Sequence, residues 1–313
     1  MADGWPAVPE ISTIWSPGRP VPLRSILGPT RRGTGDPTQT VRGRMLWRGQ
    51  RTPHGPATIA VQVDPALGEV HARAWGPGAD WALTWLPSSL GGLDDPSGFV
   101  PAHPDIAAAC RLHTDWRVPR TGLVFEALVG AAVEQKVTAQ EAFSGWRTLV
   151  HRYGEAAPGP AGAWGLMVLP APSVVRQIAS WQWLDMSIDG ARAQVVVRAA
   201  TRADALQRTL DLPADAADAA LRSLPGVGVW TSAEVRQRAH GHADAVSFGD
   251  YHVASSVGLA LTGEPVDDAA MAGLLAPYRP HRYRVQRMVE LTRIRKERRG
   301  PRLAPRRHLP GSR

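Results

Sequence analysis

The sequence feature that most constrains the fold is Leu224-Pro225-Gly226-Val227-Gly228, which lies between two helical patterns at residues 215–222 and 230–240. Glycines permit left-handed dihedrals and let the backbone approach another surface closely. Free amides at the start of the second helix point outward with the helix dipole behind them, an arrangement that binds phosphate. A helix C-cap glycine followed by an ordinary loop explains a lone Gly-x-Gly equally well. The pattern predicts two helices joined by a tight hairpin over residues 215–240.

The positive charge of the chain is concentrated at its C-terminal end. The chain has 36 Lys and Arg residues against 28 Asp and Glu, and residues 279–313 contain 13 of the basic residues but only two acids, Glu290 and Glu297. Such a block is typical of a segment that binds a polyanion, because each neutralised phosphate releases counterions. A solvated helix face followed by a basic tail explains it equally well.

Residues 1–98 predict a small antiparallel β-sheet domain. Short alternating runs separated by Pro and Gly turns predict four strands, at residues 41–47, 57–63, 69–75 and 82–85. Residues 1–40, rich in Pro, Gly and Thr, predict loops and short extended pieces. Residues 91–98 predict a linker.

Residues 99–298 predict an all-helical body, and residues 299–313 predict a basic, flexible tail. After helical spacing between about 123 and 150, further helical patterns follow at residues 173–180, 190–210, 215–223, 230–240, 251–261, 267–275 and 282–296. The expected fold class is therefore α+β, with a sheet domain followed by a helical body.

The single cysteine, Cys110, excludes an internal disulfide and any iron–sulfur cluster or zinc site that needs several thiolates. The chain has no apolar run long enough for a membrane span and no visible signal peptide. These observations predict a cytoplasmic protein, nucleoid-associated if bacterial, without membrane contact. Nothing in the sequence indicates more than a monomer.

A second unusual segment is Val246-Ser247-Phe248-Gly249-Asp250-Tyr251-His252-Val253, in which Asp250 lies twenty residues beyond Trp230. Together with the hairpin it resembles the helix–hairpin–helix DNA glycosylases, in which an aspartate at about this distance from the hairpin opens the next helix. The resemblance is closest to the 3-methyladenine DNA glycosylase II family, whose members have a similar hairpin followed by Trp and a similar Asp-Tyr. Residues 125–138 and 278–282 resemble two further family segments, and the resemblance covers about residues 100–295.

The resemblance implies a monofunctional glycosylase that flips alkylated bases out of double-stranded DNA and hydrolyses their N-glycosidic bond in base-excision repair. Asp250 is then the catalytic carboxylate. Rupture of that bond leaves an oxocarbenium-like sugar, which a fixed carboxylate stabilises in a site that excludes water. A helix N-terminus would stabilise the charge of Asp250 through its dipole and amides. Taken alone, Asp250 fits a plain N-cap equally well.

The implied base pocket is aromatic, because alkylated purines such as 3-methyladenine and 7-methylguanine are cationic and electron-rich faces attract them. The family pattern places the pocket tryptophan at Trp230, and Tyr251 adjoins the catalytic aspartate. Trp181 and Trp183 are further candidates, which core packing between helices explains at least equally well.

Glu234 departs from the family pattern, since related enzymes can have a pocket aromatic at this position. Its carboxylate is expected either to face a cationic base or to pair with Arg238 four residues on. The substrate range therefore stays open at the level of sequence.

The resemblance implies that double-stranded DNA containing damaged bases is the partner, and it assigns nine residues to DNA contact: Gln135, Lys136, Leu224, Gly226, Val227, Gly228, Thr231, His252 and Arg282. A side chain in the 135–136 region would fill the gap left by the flipped nucleotide. Lys136 could instead contact phosphate or simply face solvent. No cofactor and no side-chain metal site are expected, while related hairpins often hold a monovalent cation on their backbone.

Bifunctional relatives use a hairpin lysine as Schiff-base nucleophile, and the equivalent position here is Trp230, which predicts no β-lyase activity. Two alternatives remain open. One is a monofunctional glycosylase for oxidised or mismatched bases. The other is a non-catalytic helix–hairpin–helix DNA-binding protein, against which only Asp250 and its pocket argue.

Overall fold

The computed structural model describes residues 10–292 and has the expected α+β fold. The N-terminal part is an antiparallel sheet with the strand order β1-β5-β4-β3-β2. Its strands are β1 (Glu10–Trp15), β2 (Gln39–Arg42), β3 (Met45–Thr52), β4 (Gly55–Asp64) and β5 (Glu69–Trp75). Within residues 10–292, no helix is both long and apolar enough to cross a membrane.

Most of the remaining described chain is helical. The α-helices are α1 (Leu23–Leu27), α2 (Ala79–Thr84), α3 (Leu86–Ser89), α4 (Pro104–Leu112), α5 (Val124–Glu134), α6 (Ala139–Tyr153), α7 (Pro172–Val175), α8 (Ser180–Asp185), α9 (Gly190–Thr201), α10 (Ala203–Gln207), α11 (Ala214–Arg222), α12 (Val229–Val235), α13 (Val253–Thr262), α14 (Asp268–Leu275) and α15 (Arg282–Thr292). Short 3₁₀ helices cover Gly28–Thr30, Gly159–Trp164, Arg208–Asp211 and Ala276–Tyr278, and a π-helical turn covers Arg236–His240. The predicted tail at 299–313 and the end of the predicted helix 282–296 lie outside the described residues.

Two strand predictions differ from the structure. The run 41–47 contains a turn rather than one strand, with Gly43 in the left-handed region at φ +61° between β2 and β3. Residues 82–85 are not a strand, because residues 82–84 form the end of α2, which packs on β4 and β5 through Ala79 and Ala82. A run of four residues is too short to separate period two from helical spacing.

The helical body is not all-helical, which corrects that part of the prediction. Strands β6 (Glu155–Ala156) and β7 (Met167–Val168) form a small antiparallel pair within it. Val168 and the neighbouring 3₁₀ helix pack against Trp47 and Trp75 on the N-terminal sheet. Burial of these two tryptophans therefore joins the body to the sheet.

Helix α5 is the central helix of the body. All ten residues from Val124 to Val133 are buried, and the helix packs against α6, α9, α10 and α12. Next in the chain, α6 begins with a capping box in which the Thr138 and Glu141 side chains bond each other's backbone amides. The turn between α5 and α6, at Gln135 and Lys136, is thereby fixed between two well-anchored helices.

The sheet and the helical body share a second hydrophobic cluster. Leu46 and Val70 from the sheet pack with Trp116 and with Tyr283 and Met288 of α15. The predicted domain boundary near residue 98 therefore crosses a common core, which holds the two parts together.

Candidate active site

The hairpin between α11 and α12 requires glycine at residue 226. Gly226 has φ +93°, and a Cβ there would lie 2.4 Å from Cγ2 of Val195. Both constraints are met only by glycine. At Gly228, by contrast, the backbone is extended, and a Cβ would find no heavy atom within 4 Å. The two glycines thus have different roles, the first in the turn and the second on an open surface.

Three hairpin residues assigned to DNA contact point their side chains inward. Leu224 and Val227 belong to the main hydrophobic core, and Thr231 is only 2% exposed. Their side chains therefore anchor the hairpin in the core and are not available at the surface. Gly226 and Gly228 are exposed, and their contact with DNA stays a prediction.

The α5–α6 turn and the hairpin form one continuous surface. The Gln135 side-chain amide donates hydrogen bonds to the Gly226 carbonyl (3.0 Å) and to the Thr231 hydroxyl (2.8 Å). Lys136, the next residue, is exposed and has φ +52°, a conformation that non-glycine residues rarely adopt. Gln135 therefore binds the hairpin directly. Lys136 lies beside the hairpin with its side chain exposed to solvent.

Asp250 lies where the sequence predicts it, just before α13. Its Oδ1 accepts hydrogen bonds from the backbone amides of His252 (2.7 Å) and Val253 (3.1 Å), as a helix-capping carboxylate does. Its Oδ2 accepts a hydrogen bond from the indole Nε1–H of Trp230 at 3.1 Å. The carboxylate is thereby tied to α12 and α13 at once while it stays partly exposed.

The loop that carries Asp250 is held by residues that sequence reasoning missed. Gly249 has φ +85°, and its amide donates to Asp268 Oδ2 at 2.7 Å. On the other side, the Ser247 amide donates to Gln286 Oε1 at 3.0 Å. Asp268 follows Asp267, which caps α14, and this pair of acids was the only signal for it in the sequence.

Glu234 is buried and fully bonded. One oxygen pairs with Arg238 at 2.7 Å, and the other accepts a hydrogen bond from the Ser247 hydroxyl at 2.7 Å. Burial raises the pKa of Glu234 above the usual value for glutamate, and the neighbouring Arg238 opposes that rise. Of the two expectations for this residue, the structure shows the pairing with Arg238.

The aromatic residues predicted to line the base pocket do not lie together in one pocket. Trp183 is 2% exposed in the hydrophobic core, which corrects its assignment to a pocket, whereas Trp181 is 62% exposed. Residues two apart on a helix differ by about 200° in direction, so these two tryptophans of α8 cannot share a pocket. Tyr251 is 88% exposed on the surface and lines no enclosed pocket either. Of the predicted pocket aromatics, Trp230 is the one that contacts Asp250.

Arg282 does not present a free guanidinium for phosphate, which corrects its assignment to DNA contact. Its Nε and Nη2 bind both oxygens of Asp244, at 2.8 and 2.6 Å. A bidentate carboxylate partner satisfies this arginine within the protein. His252 is exposed next to Tyr251, with the two ring centroids 4.8 Å apart, and its contact with DNA stays a prediction.

The fold is that of the helix–hairpin–helix DNA glycosylases. The chain is similar to a 3-methyladenine DNA glycosylase from Archaeoglobus fulgidus, with a TM-score of 0.74 and 16% identity over 90% of this chain and 98% of that one. It is also similar to an 8-oxoguanine glycosylase/lyase from Clostridium acetobutylicum in its apo-form, with a TM-score of 0.67 and 11% identity over 91% of this chain and 98% of that one. The same enzyme in complex with double-stranded DNA gives a TM-score of 0.66 and 11% identity over 90% and 95% of the two chains. No family model matches the sequence, and no curated protein matches it.

Proposed function

We propose that the protein is a monofunctional DNA glycosylase that releases alkylated bases of the 3-methyladenine and 7-methylguanine type from double-stranded DNA. The observation that carries the proposal is the Asp250 carboxylate, held beside the hairpin by two backbone amides and the Trp230 indole. The similar solved structures are glycosylases for 3-methyladenine and 8-oxoguanine, and one is bound to DNA.

DNA binding is proposed for the surface formed by the hairpin and the α5–α6 turn. The exposed backbone at Gly226 and Gly228 can receive a phosphate through amides, and Lys136 adds a positive charge beside it. The basic block of the sequence from residue 279 onward would add affinity that does not depend on base sequence. The monovalent cation that related hairpins can hold belongs to the same proposal.

The chemistry requires the damaged base to leave the stack, because its glycosidic bond is inaccessible within a duplex. The bonding pair then leaves with the base nitrogen, and the deoxyribose becomes an oxocarbenium-like cation. The negative charge of Asp250 stabilises this cation, and the carboxylate orients or activates the water that adds to C1′. A cationic alkylated purine leaves as a neutral base and needs no acid to assist it.

Selection of a cationic base is assigned to the face of Trp230, which lies next to Asp250. Glu234 does not contribute a free carboxylate to this selection, because both of its oxygens are bonded within the protein. The absence of β-lyase activity is proposed because Trp230 occupies the hairpin position where bifunctional enzymes carry an amine. Lys136, the one lysine among residues 10–292, lies on the α5–α6 turn.

The proposal is tested by measuring free base released from methylated duplex DNA by the native protein and by Asp250→Asn. The substitution keeps the size of the side chain and removes its charge, so release should fall by orders of magnitude while DNA affinity is kept. Asp211→Asn, on an exposed aspartate, is the matched control. Binding without release from methylated, deaminated or oxidised duplexes would favour the non-catalytic DNA-binding alternative.

The second candidate function is a glycosylase for oxidised bases, which the likeness to an 8-oxoguanine glycosylase/lyase favours. Parallel release assays on duplexes with 7-methylguanine and 8-oxoguanine discriminate between the two. Borohydride treatment during the reaction would trap a covalent imine only if a lysine acts as nucleophile.

A further inference from the structure

We infer that Trp230 is a positioning residue, whose indole N–H fixes the orientation of the Asp250 carboxylate beside the hairpin. The inference rests on the proposed function and narrows it. It assigns to Trp230 a role distinct from stacking on the extruded base.

Both carboxylate oxygens of Asp250 already accept hydrogen bonds. Two backbone amides bind Oδ1, and the Trp230 indole binds Oδ2 at 3.1 Å. Donors on both oxygens fix the plane and the direction of the carboxylate. A carboxylate held in this way is a well-placed charge for a cation that forms beside it.

The helix that carries the Trp230 donor is itself firmly anchored. The five residues after Trp230 on α12, from Thr231 to Val235, are all buried, and Thr231 is bonded to Gln135. A Cβ on Gly249 would lie 4.0 Å from the Trp230 Cβ, which shows how closely the Asp250 loop approaches this tryptophan. The Gly249 amide is bonded in turn to Asp268. The Trp230–Asp250 contact is therefore built from anchored parts on both sides.

The role agrees with the electron balance for a cationic base. The glycosidic bond breaks with its electron pair on the base nitrogen, and a neutral base departs. Water then adds to C1′ and loses its proton to solvent. No proton has to pass through Asp250, so fixed charge is sufficient.

The test is Trp230→Phe, which keeps an aromatic face and removes the N–H donor. Loss of a hydrogen bond to a charged group should lower the single-turnover release rate about tenfold or more. Affinity for a duplex with an abasic-site analogue should stay within about threefold, as expected when the lost interaction acts in the transition state. Trp164→Phe, on a surface tryptophan, is the matched control.

A second measurement does not depend on activity. In ¹⁵N-tryptophan-labelled protein, the indole resonance that Trp230→Phe removes should shift when Asp250 is replaced by Asn, and the other indole resonances should stay. If that resonance does not change in Asp250→Asn, or if Trp230→Phe weakens affinity without changing the release rate, the inference is wrong. A native protein that releases no base would overturn the proposed function instead, and the indole resonance would still decide whether the contact exists.

Discussion

Glu234 and Arg238 form an ion pair of 2.7 Å, one helical turn apart, in a largely buried part of the protein. The same glutamate accepts a hydrogen bond from the hydroxyl of Ser247, which lies three residues before Asp250. Arg238 in turn donates to the carbonyl of Pro29, near the N-terminal sheet. The pair thus connects the loop that carries Asp250, α12 and the N-terminal part of the chain.

Glu234→Gln should destabilise the fold by about 3–5 kcal/mol, because it leaves the buried charge of Arg238 without its partner. Urea unfolding at pH 7 measures the change. Arg222→Ala is the control, since it removes an i,i+4 pair of 3.4 Å with Asp218 at the surface. That control should cost no more than about 0.5 kcal/mol. Equal effects of the two substitutions would contradict the importance of burial.

Gly226→Ala and Gly228→Ala should separate folding from DNA binding. At 226 a methyl group meets Val195 and the backbone is left-handed, so the alanine variant should be less stable by about 1–3 kcal/mol. At 228 the space is open, so stability should change by less than about 1 kcal/mol. We expect DNA affinity to fall for Gly228→Ala because its methyl group keeps phosphate from the backbone. Thermal unfolding and fluorescence anisotropy measure the two properties, and unchanged affinity would exclude this close approach.

Lys136→Ala should weaken DNA binding to any sequence and reduce the slope of log affinity against log salt by about 1, as expected for one lost phosphate contact. The measurement is a salt titration of binding. Arg152→Ala, on another exposed cation, serves as control. If both variants bind like the native protein, Lys136 faces solvent and does not contact phosphate.

Gln135→Glu should impair both binding and base release. It replaces the amide donor by a carboxylate that faces the Gly226 carbonyl and the Thr231 hydroxyl, and the carboxylate is repelled by the carbonyl. Release rates and affinities should fall together, since the hairpin shifts relative to Asp250. Gln194→Glu, on an exposed residue of α9, is the comparison. A variant that loses neither property would show that the hairpin does not need this contact.

Asp268→Ala should reduce the release rate more than it reduces stability, because it frees the Gly249 amide next to Asp250. The neighbouring Asp267→Ala removes a helix cap and should cost about 1 kcal/mol of stability with little change in rate. The pair of variants is compared by urea unfolding and by single-turnover release. The opposite ranking would show that Asp268 does not hold the loop.

Buried histidines should make the fold sensitive to acid. Burial lowers the pKa of His240 to about 3 and that of His242 to about 4, below the usual value near 6.5. Between about pH 6.5 and 4 the unfolded state binds more protons, so stability should fall as pH falls, by up to about 1.4 kcal/mol per pH unit for each histidine. Urea unfolding at pH 7 and pH 5 measures this loss. Between the two pH values, the free energy of unfolding should fall less for His240→Asn than for the native protein. For His151→Asn it should fall as much as for the native protein.

Much of the fold could be predicted from local patterns. The glycine hairpin, the predicted strands of β4 and β5, and the helical patterns of α11 to α14 lie within a few residues of the observed elements. Their signals are local, since turn glycines, alternation and capping residues act on neighbouring residues. Local patterns failed at residues 41–47, where a turn interrupts the run, and at 82–85, where packing on β4 and β5 selects a helix.

Asp250 could be predicted as a helix-capping carboxylate, but the directions of other side chains could not. Trp181 and Trp183 have the same residue type and nearly the same position, yet one is exposed and the other is in the core. The sequence predicted Arg282 as a phosphate ligand, whereas the structure pairs it with Asp244, 38 residues away. Such outcomes depend on partners that are distant in sequence, and no local pattern encodes them.

By itself, the sequence determined the α+β class, the hairpin and the position of the aspartate that follows it, because these depend on backbone conformation and short-range hydrogen bonds. Only the tertiary structure decided that Trp230 donates to Asp250, that Asp268 holds Gly249 and that Ser247 donates to Glu234. The physical reason is that a polar group excluded from water must find its partner inside the protein. The partner it finds depends on how helices from separate parts of the chain pack together.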